Sequence, residues 1–252
     1  MIVFPNAKIN IGLNVVEKRP DGFHNIESIF YPVLELFDVL EVIISDKLKF
    51  TSSGISIPGN NQDNLCLKAY RLIKADFDVA SVRIHLHKVI PIGAGLGGGS
   101  ADAAFALKAL NELFKLQLTD EQLINYARKL GSDCAFFIKN SPVYAFGKGD
   151  EFEPVVLDLS NYNIKIEYPN THIGTAEAYA RVNPKKSVTS LKEAIHLPIS
   201  EWRNALKNDF EDSIFPNHPQ IRSVKEKFYT EGALYASMTG SGSAVFGLMT
   251  KS

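Results

Sequence analysis

The sequence predicts an α+β fold in two domains, residues 1–150 and 151–252. Strand patterning dominates the first half, and helical patterning is mixed in without the strict alternation of a doubly wound parallel sheet. A turn-rich stretch, residues 142–154, reads as the join between the two parts. Of the 252 residues, 45% are apolar and 22% charged, a composition that supports a buried core and excludes general disorder. Basic and acidic side chains nearly cancel, 27 against 28, so the strong positive field needed for non-specific nucleic-acid binding is missing.

From Ala7 to Val15 the chain alternates: Ala7, Ile9, Ile11, Leu13 and Val15 share one face, and Lys8, Asn10, Gly12 and Asn14 the other. Period two with one apolar face predicts a half-buried strand whose polar face is solvated. Arg19-Pro20-Asp21-Gly22 is a turn signal. Further strands are expected over residues 28–36, 39–44 and 82–90, with a helix over 64–74 behind an Asp63 or Asn64 cap. Residues 101–115 carry a helical apolar stripe of Phe105, Leu107, Leu110, Leu113 and Phe114. Thr119-Asp120-Glu121-Gln122 is a capping box opening another helix, which Gly131 is expected to close. Beyond the join, a strand is expected over 163–168, helices over 191–194, 201–207 and 219–230, and a last strand over 244–248.

Cys66 and Cys134 are expected to be buried, reduced thiols of a cytoplasmic protein, since residues 1–5 lack the pattern of a signal peptide. No apolar run approaches the length of a membrane span.

The strongest functional signal is Pro91-Ile92-Gly93-Ala94-Gly95-Leu96-Gly97-Gly98-Gly99-Ser100-Ala101, a glycine-dense loop between a strand and a helix. Without Cβ atoms, its backbone N–H groups can close on an anion, and the helix N-terminus adds unsatisfied donors and partial positive charge. Asp and Glu are absent between Asp78 and Asp102, while Arg83 and Lys88 are present, so the local charge suits phosphates. Gly93, Gly95 and Gly98 satisfy a dinucleotide-binding spacing, but the loop is late in the chain and led by proline. No Gly-Lys-Ser/Thr follows it, which removes a Walker A motif.

Asp133 leads the apolar run Cys134-Ala135-Phe136-Phe137-Ile138 and is expected to be partly buried. A Lys–Asp pair beside a phosphate loop suits phosphoryl transfer, the carboxylate accepting a hydroxyl proton and the ammonium offsetting developing charge. Phe23-His24 offers a ring face and a hydrogen-bonding edge to a planar ligand. Thr239-Gly240-Ser241-Gly242-Ser243 reads as a turn before the last strand. The six histidines show no metal-ligand spacing, and no Gly-x-Ser-x-Gly elbow is present. A dinucleotide-dependent oxidoreductase and a non-catalytic nucleic-acid-binding module remain the readings from other classes.

The segments Ala7-Lys8-Ile9-Asn10-Ile11-Gly12-Leu13, Arg19-Pro20-Asp21-Gly22-Phe23-His24, the glycine loop through Ala104, Gly131-Ser132-Asp133 and the stretch from Met238 to Phe246 together resemble the GHMP small-molecule kinases. Asn208-Asp209-Phe210-Glu211 fits the second half of that family, so the resemblance spans nearly the whole chain in order. It implies a two-domain GHMP kinase fold, the first domain similar to domain 2 of ribosomal protein S5 and the second ferredoxin-like. It implies ATP, with phosphates on residues 91–101 and Lys88 nearby, and Mg²⁺ is expected with it; the metal ligands stay open, with Ser100 and Asp133 near enough in the motifs to be candidates.

By the same resemblance Asp133 is the general base and Lys8 its partner. The Ala-Lys-Ile-Asn opening and the Pro-Asp-Gly-aromatic-His turn resemble the branch that phosphorylates a cytidine-diphosphate-linked polyol. There Asn10 and Thr175 contact substrate, His24 reads the cytosine edge, and Phe23 and Tyr179 stack on the base. The implied partner is a small molecule rather than nucleic acid or membrane, and the oligomeric state stays open. Sibling kinases of homoserine, mevalonate or sugars are the nearest alternative. Departures from the family pattern are Phe23 for a common Tyr, Ala101 for a frequent Ser, and Cys134-Ala135 for Val-Pro.

Overall fold

The computed structural model describes residues 1–185 and 190–251. In chain order the elements are β1 (Ile2–Val3), β2 (Asn6–Lys18), β3 (His24–Phe37), β4 (Val39–Ile44), β5 (Lys49–Gly54), α1 (Leu65–Asp76), β6 (Val82–Lys88), α2 (Gly98–Leu113), α3 (Asp120–Arg128) and α4 (Phe136–Lys139). They continue as β7 (Val143–Phe146), β8 (Glu151–Pro154), β9 (Tyr162–Glu167), α5 (Thr175–Ala180), α6 (Leu191–Ala194), α7 (Trp202–Ala205), α8 (Phe210–Ile214), α9 (Pro219–Thr230), β10 (Tyr235–Met238) and β11 (Val245–Thr250). Among the described residues no helix is long and apolar enough to cross a membrane.

Two compact units result, and they do not divide at residue 150. One comprises Met1–Lys8, Pro32–Ile92 and Gly97–Ser141; the other comprises Ile9–Tyr31, Gly93–Leu96 and Pro142–Ser252. The difference has a simple cause: β2 and β3 each run from one unit into the other, and the supposed join is structured. Residues 142–154 form β7 and β8, an antiparallel pair turning through Gly147 and Gly149, both at positive φ.

In the first unit the sheet order is β1-β4-β6-β5, antiparallel except for the parallel β5–β6 pair. Leu40, Val42, Ile84 and Leu86 of this sheet are buried, as are Ile73 of α1 and Leu107 and Leu110 of α2. Asn64 caps α1 by accepting from the Cys66 N–H, and Thr119 and Gln122 complete the expected capping box on α3. Helix α3 ends at Arg128, three residues before the expected terminator. The Gly131 N–H still reaches back to the Ala127 carbonyl, and Gly131 then precedes a 3₁₀ turn, Ser132–Ala135.

In the second unit β7 lies between β3 and β8, with β2 beyond β3, and a separate antiparallel sheet runs β10-β11-β9. Its core gathers Leu13, Val15, Phe210, Ile214, Ile221, Phe228, Met238 and Val245. The expected helix over residues 201–207 is a 3₁₀ turn followed by the short α7, whereas α6 and α9 match their expected spans.

Strand β2 departs from its expected half-buried state. Every residue from Asn6 to Val15 is buried, including Lys8, Asn10 and Asn14. A period-two pattern reports two chemically different faces, and the polar face of β2 is packed against protein rather than water. Polar side chains so placed need partners, and those of Lys8 and Asn10 belong to the site described next.

Candidate active site

The glycine-rich segment enters helix earlier than its composition suggests. Helix α2 begins at Gly98 rather than Ala101, with Gly97 at φ +71° as its N-cap. The Ala101 N–H bonds back to the Gly97 carbonyl. The N–H groups of Gly98, Gly99 and Ser100 precede that first helical bond and are the donors an anion would take. A Cβ at Gly99 would meet nothing within 4 Å, so the helix end is open there. The glycines beside it are enforced by packing: a Cβ on Gly97 would lie 2.9 Å from Phe137 and 3.0 Å from the Lys8 side chain, and one on Gly98 would lie 2.9 Å from the Lys88 Nζ.

Lys8 and Asp133, far apart in sequence, meet in the first unit. The Lys8 Nζ is 3.4 Å from Asp133 Oδ2, with side-chain exposures of 4% and 30%. Burial in β2 fixes the ammonium, while the 3₁₀ turn leaves the carboxylate reachable. Cys134, next in the chain, is a buried free thiol that burial pushes up to about 11. Cys66 is likewise free, buried and shifted upward by burial.

Lys88 does not reach toward solvent. Its ammonium donates to Asp38 Oδ2 at 2.5 Å and to Asp102 Oδ2 at 2.7 Å, and all three side chains are buried. Asp38 Oδ1 also accepts from the backbone N–H groups of Val89 and Ile90, tying down the chain just before the loop. Arg83 is exposed on the other face of β6. Lys88 is therefore engaged by two buried carboxylates and Arg83 lies on the opposite face of β6, so the donors that the glycine segment offers to an anion are those of its backbone. Burial raises the Asp102 carboxyl to about 7, with Lys88 pulling it down and Asp38 pushing it up. The Asp102 Oδ1 atom is buried without a hydrogen-bond partner among the described residues. Neither Asp38 nor Asp102 is marked as a site residue by the sequence, because a lone Asp in a strand–helix region carries no spacing signal.

In the second unit Asn10 is held in one amide orientation. Its Nδ2 donates to Ser28 Oγ at 2.9 Å, and that hydroxyl donates to the Gly12 carbonyl at 2.6 Å. His24 stacks on Tyr179, with ring centroids 4.6 Å apart and planes 23° from parallel, and Tyr179 meets Phe210 edge-on. Partial burial and the nearby Lys18 hold the His24 imidazole below its ordinary pKa, so it is neutral near pH 7. Thr175 opens α5 and lies one helical turn before Tyr179, on the same side of that helix. Phe23 is outside the stack: the residue is 61% exposed, with the Lys148 ammonium 5.4 Å from the ring centroid. The structure thus brings His24 and Tyr179 together directly, whereas Phe23 lies outside that stack, beneath Lys148.

Family models match both parts of the chain, GHMP kinases N terminal domain over residues 64–141 and GHMP kinases C terminal over 190–252. A 4-diphosphocytidyl-2-C-methyl-D-erythritol kinase of Bacteroides thetaiotaomicron is 53% identical, covering 98% of this chain and 92% of its own length. Its counterpart from Parabacteroides distasonis is 52% identical, over 100% of this chain and 92% of its own. The crystal structure of a 4-(cytidine 5'-diphospho)-2C-methyl-D-erythritol kinase superposes with a TM-score of 0.82 at 32% identity, covering 98% of this chain and 90% of the other. Streptococcus pneumoniae phosphomevalonate kinase, at 15% identity and a TM-score of 0.73, shares the fold. Identity at this level along nearly the full length of both sequences decides the relationship: the chain belongs to the GHMP kinases and, among them, to the 4-diphosphocytidyl-2-C-methyl-D-erythritol kinase family.

Proposed function

We propose that this chain transfers the γ-phosphoryl group of ATP to the 2-hydroxyl of 4-diphosphocytidyl-2-C-methyl-D-erythritol, a step in non-mevalonate isoprenoid synthesis, with Asp133 as general base. The observation that carries the residue roles is the Lys8–Asp133 pair, 3.4 Å apart, with the lysine buried and the aspartate accessible. Asp133 accepts the proton of the attacking hydroxyl as its oxygen bonds to the γ-phosphorus. The bond from that phosphorus to the bridging oxygen breaks, and ADP leaves with the electron pair. The Lys8 ammonium holds the carboxylate in place and offsets the charge gathering on the transferred group.

ATP phosphates are assigned to Pro91, Ile92, Gly93, Ala94, Gly95, Leu96, Gly97, Gly98, Gly99, Ser100 and Ala101, the open start of α2 supplying the N–H donors. Lys88 stands beside the loop, where a Cβ on Gly98 would lie 2.9 Å from its Nζ. The cytidine end is assigned to Phe23, His24, Thr175 and Tyr179, and Asn10 to the polyol. When it accompanies ATP, Mg²⁺ would neutralise charge on the phosphates. Among the described residues no group of three His, Cys, Asp or Glu is placed to hold a metal. Ser100 and Asp133 are the chain's own candidates to contact the ion. The buried free thiols fit a cytoplasmic setting.

The test is ADP release from MgATP with the cytidyl substrate, compared with homoserine, mevalonate and galactose. Turnover restricted to the cytidyl substrate is the expected result. Turnover with another alcohol instead would keep the phosphoryl-transfer chemistry and discard the substrate assignment.

A further inference from the structure

We infer that Thr239 is a positioning residue for phosphoryl transfer, its hydroxyl fastening the 93–96 part of the phosphate loop to Asn10. The inference rests on the kinase reading above and concerns a residue whose segment reads as an ordinary turn in the sequence.

Thr239 is fully buried, and its hydroxyl meets three groups. It accepts from the Asn10 backbone N–H at 3.0 Å, and its proton has two acceptors, Asn10 Oδ1 at 3.2 Å and the Gly95 carbonyl at 3.1 Å. The Asn10 amide is already oriented from its other end by Ser28. One hydroxyl therefore connects a substrate-side residue and a phosphate-side residue that are distant in sequence.

The backbone around it leaves no slack. A Cβ on Gly95 would lie 2.0 Å from the Thr239 carbonyl oxygen, and one on Gly240 would lie 3.1 Å from the Gly95 Cα. The Ala244 N–H donates to the Ala94 carbonyl at 3.1 Å, and the Thr239 N–H to the Ala244 carbonyl at 2.9 Å. Behind Thr239, the buried Asn208 donates to the carbonyls of Met238 and Gly240, and buried Glu211 accepts from the Met238 N–H. Thr239 is thus set by groups on both sides, so moving its hydroxyl means moving the loop. Backbone donors that bind phosphate must be aimed before the ligand arrives, because catalytic electrostatics depend on preorganisation.

The test uses the full chain and compares ATP affinity by calorimetry, then kcat and both KM values, for Thr239→Val and Thr239→Ser. Valine keeps the shape and loses the hydroxyl. It is expected to weaken ATP binding by about tenfold, the effect of one to two hydrogen bonds, and to lower kcat while leaving the KM of the cytidyl substrate little changed. Serine restores ATP affinity to within about threefold of wild type. Unchanged ATP affinity in a folded valine variant overturns the inference, as does loss of affinity that serine fails to restore. Should valine not fold, Thr239→Ala is read against serine by the same criteria. If the wild type binds ATP yet does not turn over the cytidyl substrate, the functional proposal fails, and the ATP affinities still decide the role of Thr239.

Discussion

The Lys8 ammonium lies 3.4 Å from an Asp133 carboxylate oxygen in a pair that is strongly lopsided in exposure. A lysine sunk in a strand is costly to desolvate and is retained only with compensating partners. The aspartate faces the accessible side, so the geometry presents a carboxylate whose orientation is fixed by a cation behind it. On the proposed reaction, such a carboxylate is suited to act as general base for the alcohol.

Replacing Asp133 with Asn should therefore lower kcat by about 10²–10⁴, the usual worth of a positioned general base. ATP affinity and the far-UV circular dichroism spectrum should remain those of the wild type. Single-turnover kinetics with saturating MgATP check this, and full activity in the variant would remove Asp133 from the base role.

The Asp38–Lys88–Asp102 cluster predicts a pH-dependent contribution to stability. Burial raises Asp102 from an ordinary 3.8 to about 7. Between those values the native protein holds a proton that the unfolded chain has released. The stabilisation from this group is complete below 3.8 and is lost as the pH rises through about 7. Urea unfolding across that window should show a falling limb for the wild type that is flatter for Asp102→Asn; equal slopes would show that Asp102 does not titrate there.

Removing the cation from the same cluster should be worse than removing one acid. Lys88→Met leaves two buried carboxylates facing each other and is expected to cost about 3–5 kcal/mol. Equilibrium denaturation gives this directly. A loss below about 1 kcal/mol, typical of surface ion pairs, would mean that the ammonium is not the keystone of the cluster.

If His24 reads the cytidine end as proposed, His24→Ala should raise the KM of the cytidyl substrate by about tenfold, through lost stacking and hydrogen bonding, with the KM of ATP unchanged. The stack of His24 on Tyr179 ties the imidazole to the helix that carries Thr175. Equal effects on both KM values would instead indicate general disruption of the protein.

Two glycines of one loop should behave oppositely. Gly95 sits at φ +79°, and a Cβ there would lie 2.0 Å from the Thr239 carbonyl oxygen, so Gly95→Ala should cost more than about 2 kcal/mol. Gly99 lies in the first turn of α2 with open space around it, so Gly99→Ala should fold at least as stably as the wild type. Thermal unfolding of the two variants, side by side, tests the contrast.

Local chemistry was enough to locate β4, α1, α6 and α9 and the capping box on α3, because each depends on neighbours within a few residues; the family was legible from motifs spread along nearly the whole chain. Local chemistry also singled out Lys8, Asp133, Asn10 and His24 as unusual. Long-range packing decided the rest. It buried both faces of β2 and turned the apparent join at residues 142–154 into paired strands. It also tied Lys88 to Asp38 and Asp102 and made Thr239 the link between Asn10 and Gly95. The physical reason is the same each time: hydrogen bonds and ion pairs in a buried region are assigned by which groups the folded chain brings within about 3 Å. Sequence periodicity records only which groups lie near one another along the chain.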